Sequence, residues 1–314
     1  MESLILSFTA VAPIFILMFL GYCLKLLRFT DKKGFDTMNK AVFKVFLPVL
    51  LFYNVYKTNI ENIFDSKLIL FTFVGVLITF TIGYFAVFMF TKDNAKRGVM
   101  LQGFFRSNLA ILGLPLVEHV CGDGSGGLTS MMIAITVPLF NILSVFALER
   151  FRQEHSKLNL WRLVKGMITN PLIIGCFVGL IFFATGIKLP SVIEKSVKDI
   201  SSVATPLALI VLGSEFEFTA IKGSLKELII TISTRLVIVP LIMLFVAIKF
   251  GFTNEALACI LITFGSPVSV SSFAMAQQMD GDEQLAAQLV VISSALCVAT
   301  LFVWIFVSSY MGVL

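Results

Sequence analysis

Ten apolar runs of roughly 20 residues follow one another along this chain, joined by short polar connections. They lie near 4–27, 35–56, 67–91, 96–120, 127–150, 164–186, 191–213, 225–249, 254–278 and 283–311. A hydrocarbon core about 30 Å thick takes about 20 helical residues to cross, so each run has the length of one membrane span. Composition agrees. Of 314 residues, 58% are hydrophobic and 14% charged, against about 25% charged in a soluble domain. The expectation is an all-α integral membrane protein of about ten transmembrane helices. The first run opens Met1-Glu2-Ser3-Leu4-Ile5, without the positive n-region of a signal peptide, and is read as the first span. A multi-pass protein of the cell membrane follows, with the lipid bilayer as its main partner.

The formal charge of +5 is a record of topology in such a chain, and no nucleic-acid partner is expected. The odd-numbered connections hold 14 Lys and Arg and the even-numbered ones 6. The positive-inside rule then places both termini outside the cytoplasm and the basic connection Arg150–Lys165 within it. That connection divides the chain into 1–151, a linker 152–163, and 164–314.

The two parts carry matching punctuation. Pro13 and Gly21 are followed 158 residues later by Pro171 and Gly179, and Pro48 by Pro206 at the same offset. Gly113 and Pro115 match Gly265 and Pro267 at 152, and Gly122-Asp123 matches Gly281-Asp282 at 159. Five spans per copy is an odd number, so the second copy runs through the membrane upside down. The reading is two inverted five-helix repeats.

Within spans four and nine, Gly113-Leu114-Pro115 and Gly265-Ser266-Pro267 interrupt otherwise apolar runs. A break at membrane depth frees backbone groups that lipid cannot bond, and survives only against protein or a water-filled cavity. Paired breaks in the two copies are the sequence pointer to a transport site, with dipole-positive helix ends facing the ligand. The rival reading is a simple proline kink. Asn108, Asn141, Ser266 and Ser269 offer neutral donors and acceptors near the breaks, although such side chains also glue helices together. Arg235 lies near the middle of span eight, at an insertion cost of about 2.5 kcal/mol or more. It either pairs a substrate carboxylate or satisfies carbonyls freed at the break in span nine. Arg106, nearer a helix end, reads as structural or interfacial.

Other chemistry finds little support. Cys23, Cys121, Cys176, Cys259 and Cys297 are widely spaced and His119 and His155 stand alone, so neither a metal site nor a disulfide framework is expected. The stretch from Gly122 to Gly127 fits GxGxxG by letter, but follows a membrane helix and not a strand. No HExxH, GxSxG or P-loop occurs, and no enzyme activity or cofactor is expected.

Asn108 with Gly113, Pro115 and then Gly122-Asp123 resembles the fourth helix of the auxin efflux carrier family. The run from Gly265-Ser266-Pro267 to Asp282-Glu283 is similar to the ninth helix of its bacterial members. That family includes plant auxin exporters and bacterial permeases for malate or malonate, and the short central connection suits the bacterial kind. The resemblance implies a secondary transporter of a small organic anion working by an elevator-type motion. Helices 1, 2, 6 and 7 would form a scaffold and a homodimer surface, while helices 3–5 and 8–10 would carry the crossed, broken helices. It also implies that Asn108 and the breaks at Pro115 and Pro267 contact the substrate. Coupling to protons or sodium is left open, as are a membrane-embedded ligand sensor and a passive channel as rival functions.

Overall fold

The computed structural model describes residues 2–57, 65–109, 116–117, 120–121, 126–152, 160–216 and 223–314. Gly113, Pro115, positions 122–125 of the glycine-rich loop and positions 153–159 of the linker fall outside them. The regular elements of the described residues are all helices: α1 (Glu2–Leu26), α2 (Lys32–Tyr56), α3 (Ser66–Phe90), α4 (Asn94–Phe105), α5 (Gly126–Arg150), α6 (Leu160–Ile168), α7 (Pro171–Thr185), α8 (Ser191–Glu215), α9 (Leu225–Lys249), α10 (Asn254–Gly265), α11 (Ser271–Gln278) and α12 (Glu283–Tyr310). Among the described residues six of them are long and apolar enough to cross a membrane, and the apolar stretches Ala12–Leu26, Pro171–Thr185 and Asn254–Gly265 are shorter. Large apolar side chains such as Phe19, Phe85, Phe177, Phe245 and Phe306 project outward. Water would not tolerate so much exposed apolar surface, whereas lipid solvates it. This is a multi-pass membrane protein.

The helices start where the sequence can satisfy their first amides. Asp31, Asp65, Asp93, Asn170 and Asp282 each accept a hydrogen bond from a first-turn N–H at 2.8–3.0 Å. Asn170 also explains one departure from the sequence reading. The apolar run expected as a single sixth span is cut there into α6 and α7, because Pro171 starts a new helix behind its cap.

Two long helices contain a π-turn two residues ahead of a proline: Val42–Phe46 before Pro48 in α2, and Thr234–Ile238 before Pro240 in α9. Proline lacks an N–H and its ring crowds the carbonyl four residues back, so the wider turn relieves the clash. In α9 the carbonyl that Pro240 cannot serve is that of Leu236, and the Trp304 indole donates to it at 3.0 Å.

Packing follows glycine. A Cβ built on Gly21 of α1 would lie 1.9 Å from the Ile210 carbonyl oxygen of α8, and one on Gly213 would lie 1.9 Å from that of Met18. Gly175 of α7 presses as closely on Pro48 of α2, at 2.4 Å. The α1–α8 and α2–α7 pairs thus meet backbone to backbone, as small residues permit where no hydrophobic drive exists between helices. The broken segments lie deepest: every residue from 98 to 109 and from 257 to 268 is buried.

Candidate functional site

The helix in span four stops at Phe105, well before Gly113 and Pro115. Arg106 has extended backbone (φ −82°, ψ 113°), and Ser107 forms an antiparallel bridge with Val268. In span nine α10 stops at Gly265 and α11 begins at Ser271. Between them the chain runs extended, with the Pro267 carbonyl accepting from the Asn108 N–H at 3.0 Å. Two interrupted helices therefore cross by pairing their unwound strands. This disposes of backbone groups that the low-dielectric interior would otherwise leave unpaired.

The crossing also leaves helix-end carbonyls, and Arg235 takes them. The π-turn carries its side chain into the protein, where it is fully buried. Nε donates to the Ser266 carbonyl at 2.8 Å, Nη2 to that of Thr263 at 2.9 Å and Nη1 to that of Phe105 at 3.2 Å. Thr263 lies four residues before Pro267, so its carbonyl is the one that proline cannot serve. Of the two roles open to Arg235 from sequence, the geometry displays the capping of carbonyls, at both breaks and not one.

Arg106 occupies the other side. It is 3% exposed, and Nη2 donates to Asn141 Oδ1 at 2.9 Å and to Ser271 Oγ at 2.6 Å, while Nη1 meets the Met275 sulfur. Asn141 is held in turn by donating to the Val137 carbonyl at 2.8 Å. Among the described residues no carboxylate pairs with Arg106. Its guanidinium borders a narrow cavity of about 50 Å³, room for about three waters. Ser107, Asn108, Asn141, Ser269 and Ser271 line the cavity on the side of the breaks, and Asn54 of α2 and Thr205 of α8 face them. Leu47, Leu50 and Leu51 give it an apolar wall. Among the described residues, two lining groups have no hydrogen-bond partner: the Asn108 amide nitrogen and the Ser107 hydroxyl, both buried. The cavity is thus bordered by a buried cation and an idle N–H donor, and the first turn of α11 presents its dipole-positive end there.

The structure brings together Asn108, Asn141 and Ser269 of the residues expected from sequence. It sets Gly265, Ser266 and Pro267 at the crossing itself, and Arg235 behind it. Arg106, read from sequence as structural or interfacial, is buried beside the cavity. The insertion cost that singled out Arg235 applied equally to a second arginine two residues from Asn108. Asn54 and Thr205 carried no signal beyond being polar in apolar runs.

Comparison with known proteins bears on what such a cavity is for. The family described as membrane transport protein matches residues 6–305. The chain belongs to that family, the auxin efflux carriers. It is a membrane transporter and not an enzyme, and transport implies a small substrate. Similar full-length carriers include an "Uncharacterized transporter" of Methanothermobacter thermautotrophicus, 24% identical over 305 residues, covering 95% of this chain and 97% of its own length. A "Putative malonate transporter" of Rhizobium meliloti is 21% identical over 296 residues, covering 92% of each. The Arg106 cavity is lined by residues from both halves of the chain.

Proposed function

We propose that this carrier moves a small organic anion, with a carboxylate group bound at Arg106 beside the crossed breaks. The observation that carries the reading is the Arg106 guanidinium. It is buried, held by neutral partners, and faces a cavity that also holds an unpartnered N–H donor. A buried cation without a counter-charge is costly, and an anionic ligand offsets that cost. Asn108, Ser107, Ser269 and the first turn of α11 complete the oxyanion contacts, while the leucine wall takes the carbon skeleton. Malonate fits this description as one candidate, in line with the name of the Rhizobium relative.

The alternating motion is read as elevator-like. The backbone-close packing of α1 on α8 and of α2 on α7 supports a scaffold of these helices. Ties between the chain's halves support a second body of α3–α5 with α9–α12. Lys67 donates to the Phe250 carbonyl at 2.6 Å, Lys226 to that of Phe90 at 3.0 Å, and Lys96 pairs Glu227 at 3.7 Å. Helix lengths support the inverted repeat. Starts at Lys32 and Ser191, and at Ser66 and Leu225, lie 159 residues apart and open helices of 25 residues. Asn94 and Asn254 lie 160 apart and open helices of 12. The same offset aligns the breaks at Arg106–Asn108 and Ser266–Val268, in place of the 152 that Gly113 and Pro115 suggest. Both termini are placed outside the cytoplasm by the charge of the connections, and the scaffold face is the proposed homodimer surface.

The test is uptake of radiolabelled malonate, malate and an aromatic monocarboxylate into proteoliposomes. Arg106→Gln should reduce uptake of whichever probe is carried by about 100-fold, the worth of two to three kcal/mol of charge-assisted hydrogen bonding. Its thermal midpoint in detergent should stay close to that of the parent. Undiminished uptake by this variant would overturn the assignment.

A further inference from the structure

α11 touches the candidate site with one end and a polar cluster with the other. Near its N-terminus Ser271 and Met275, one turn apart, contact the Arg106 guanidinium. About 9 Å along the axis, at 1.5 Å per residue, Gln277 reaches α2 and α12. Its Nε2 donates to Asp36 Oδ1 and to Glu283 Oε2, both at 3.1 Å, and its Oε1 accepts from the Asn39 amide. Lys32, also on α2, pairs Glu283 at 3.2 Å, and Gln284 donates to the Glu215 carbonyl at the end of α8 at 3.4 Å.

These bonds join α2 and α8, on the scaffold side, to α11 and α12, and they cluster at one end of the molecule: where α2 and α12 begin and α8 and α11 finish. The start of α12 is anchored in turn to its own side. The Asp282 N–H donates to the Ala95 carbonyl at 3.3 Å, and Arg152 pairs Asp280 at 2.6 Å. At the opposite end the scaffold bonds internally, as Tyr56 does to Glu194 at 3.2 Å and to the Leu189 N–H at 3.0 Å. Asn39 is fully buried and Gln277, Asp36 and Glu283 are half-buried, so these four sit between the helices, with Lys32 on the exposed rim.

We propose that Gln277, held by Asp36, Asn39 and Glu283, is the gate that closes this end of the path to Arg106. While it is made, α11 is pinned against α2 with Ser271 seated on Arg106. When it parts, α11 and α12 move away from α2 and α8, and the cavity opens to that side. Hydrogen bonds from a neutral amide to carboxylates suit this task, being strong enough to hold yet exchangeable for water once the helices separate. α11 is a single rigid element, so the state of the cluster and the geometry at Ser271 are mechanically linked.

The inference rests on the cavity beside Arg106 being the substrate site, and its test reads access and not uptake, so a failure of the gate and a failure of the substrate assignment are told apart. Thr205 of α8 lines the cavity from the scaffold side. Thr205→Cys is introduced, and its labelling by a membrane-impermeant methanethiosulfonate is measured over the background of the native thiols. The reagent is added from the side on which α2 begins. Gln277→Ala should raise the labelling rate about tenfold or more, since two bonds to charged groups are lost. Gln277→Glu, which sets a third carboxylate against Asp36 and Glu283, should raise it further. Labelling from the opposite side should not rise. Rates within about twofold of the parent for both variants, with thermal midpoints intact, would overturn the gate. Should Gln277→Ala fail to fold, Asp36→Asn reads the same contact with its shape preserved, and the same two outcomes apply.

Discussion

Arg235 donates to the Phe105 carbonyl at 3.2 Å, one residue before Arg106. Two arginines deep in the protein thus meet at the same break, Arg235 from α9 and Arg106 on the broken chain itself, and do different work. Arg235 faces the ends of α4 and α10, where helix dipoles are negative and carbonyls unserved, and its charge is absorbed there. Arg106 points the other way, to neutral side chains and the cavity.

The two should separate cleanly in mutagenesis. Replacing a buried polar group by an apolar one is tolerated when both partners go, but Arg235→Leu leaves three carbonyls behind. At about 1–3 kcal/mol for each stranded acceptor, the loss should exceed about 3 kcal/mol. Thermal unfolding in detergent should show a large fall in midpoint for Arg235→Leu and a smaller one for Arg235→Lys, which keeps the charge but not the three-way fork. Arg106→Gln should show almost none. Equal midpoints for the Arg235 and Arg106 variants would refute this division of labour.

The long spans were legible because apolar run length is dictated by bilayer thickness, and six helices long and apolar enough to cross lie within a few residues of expected runs, whereas the sixth run is cut at Asn170. The break in span nine was legible for a local reason: proline cannot donate to Thr263. The break in span four was not. Arg106, Ser107 and Asn108 include no helix-breaker, and what holds them extended is the partner strand at Pro267 and Val268, 160 residues away. The Gly113-Leu114-Pro115 cue lies downstream, outside the described residues. The roles of the arginines were hidden for a related reason. Position along a span gives depth in the membrane, but which neighbour a side chain faces depends on the π-turn that rotates Arg235 inward and on the extended link that re-aims Arg106.

Gly213 tests the scaffold. Its added Cβ would stand 1.9 Å from the Met18 carbonyl oxygen, a backbone atom that no rotamer change can move. Gly213→Ala should therefore push α1 off α8 and cost about 1–3 kcal/mol, with Gly213→Val worse. Gly223, whose Cβ would meet nothing within 4 Å, is the control, and Gly223→Ala should leave the midpoint unchanged. A Gly213→Ala protein as heat-stable as the parent would mean that the helices do not approach this closely.

Asn108 tests the site from its uncharged side. Its backbone N–H is spent on Pro267, but the residue is 2% exposed and its side-chain nitrogen has no partner among the described residues. A substrate oxygen would supply the missing acceptor. A site built to bond a ligand group loses affinity when that bond is deleted. Asn108→Ala should therefore raise the half-saturating substrate concentration about tenfold with little change in thermal midpoint. Asn108→Asp asks more of the same geometry. It sets a carboxylate one residue beyond Ser107 on the cavity wall, where it would compete with any anion for Arg106. Uptake should fall to background, while the new internal ion pair holds the fold at or above parental stability. The pair of variants is decisive because the two differ from asparagine in opposite ways. If the Asp variant transports as well as the Ala variant, charge at this wall is irrelevant to the ligand, and the anion assignment fails with it.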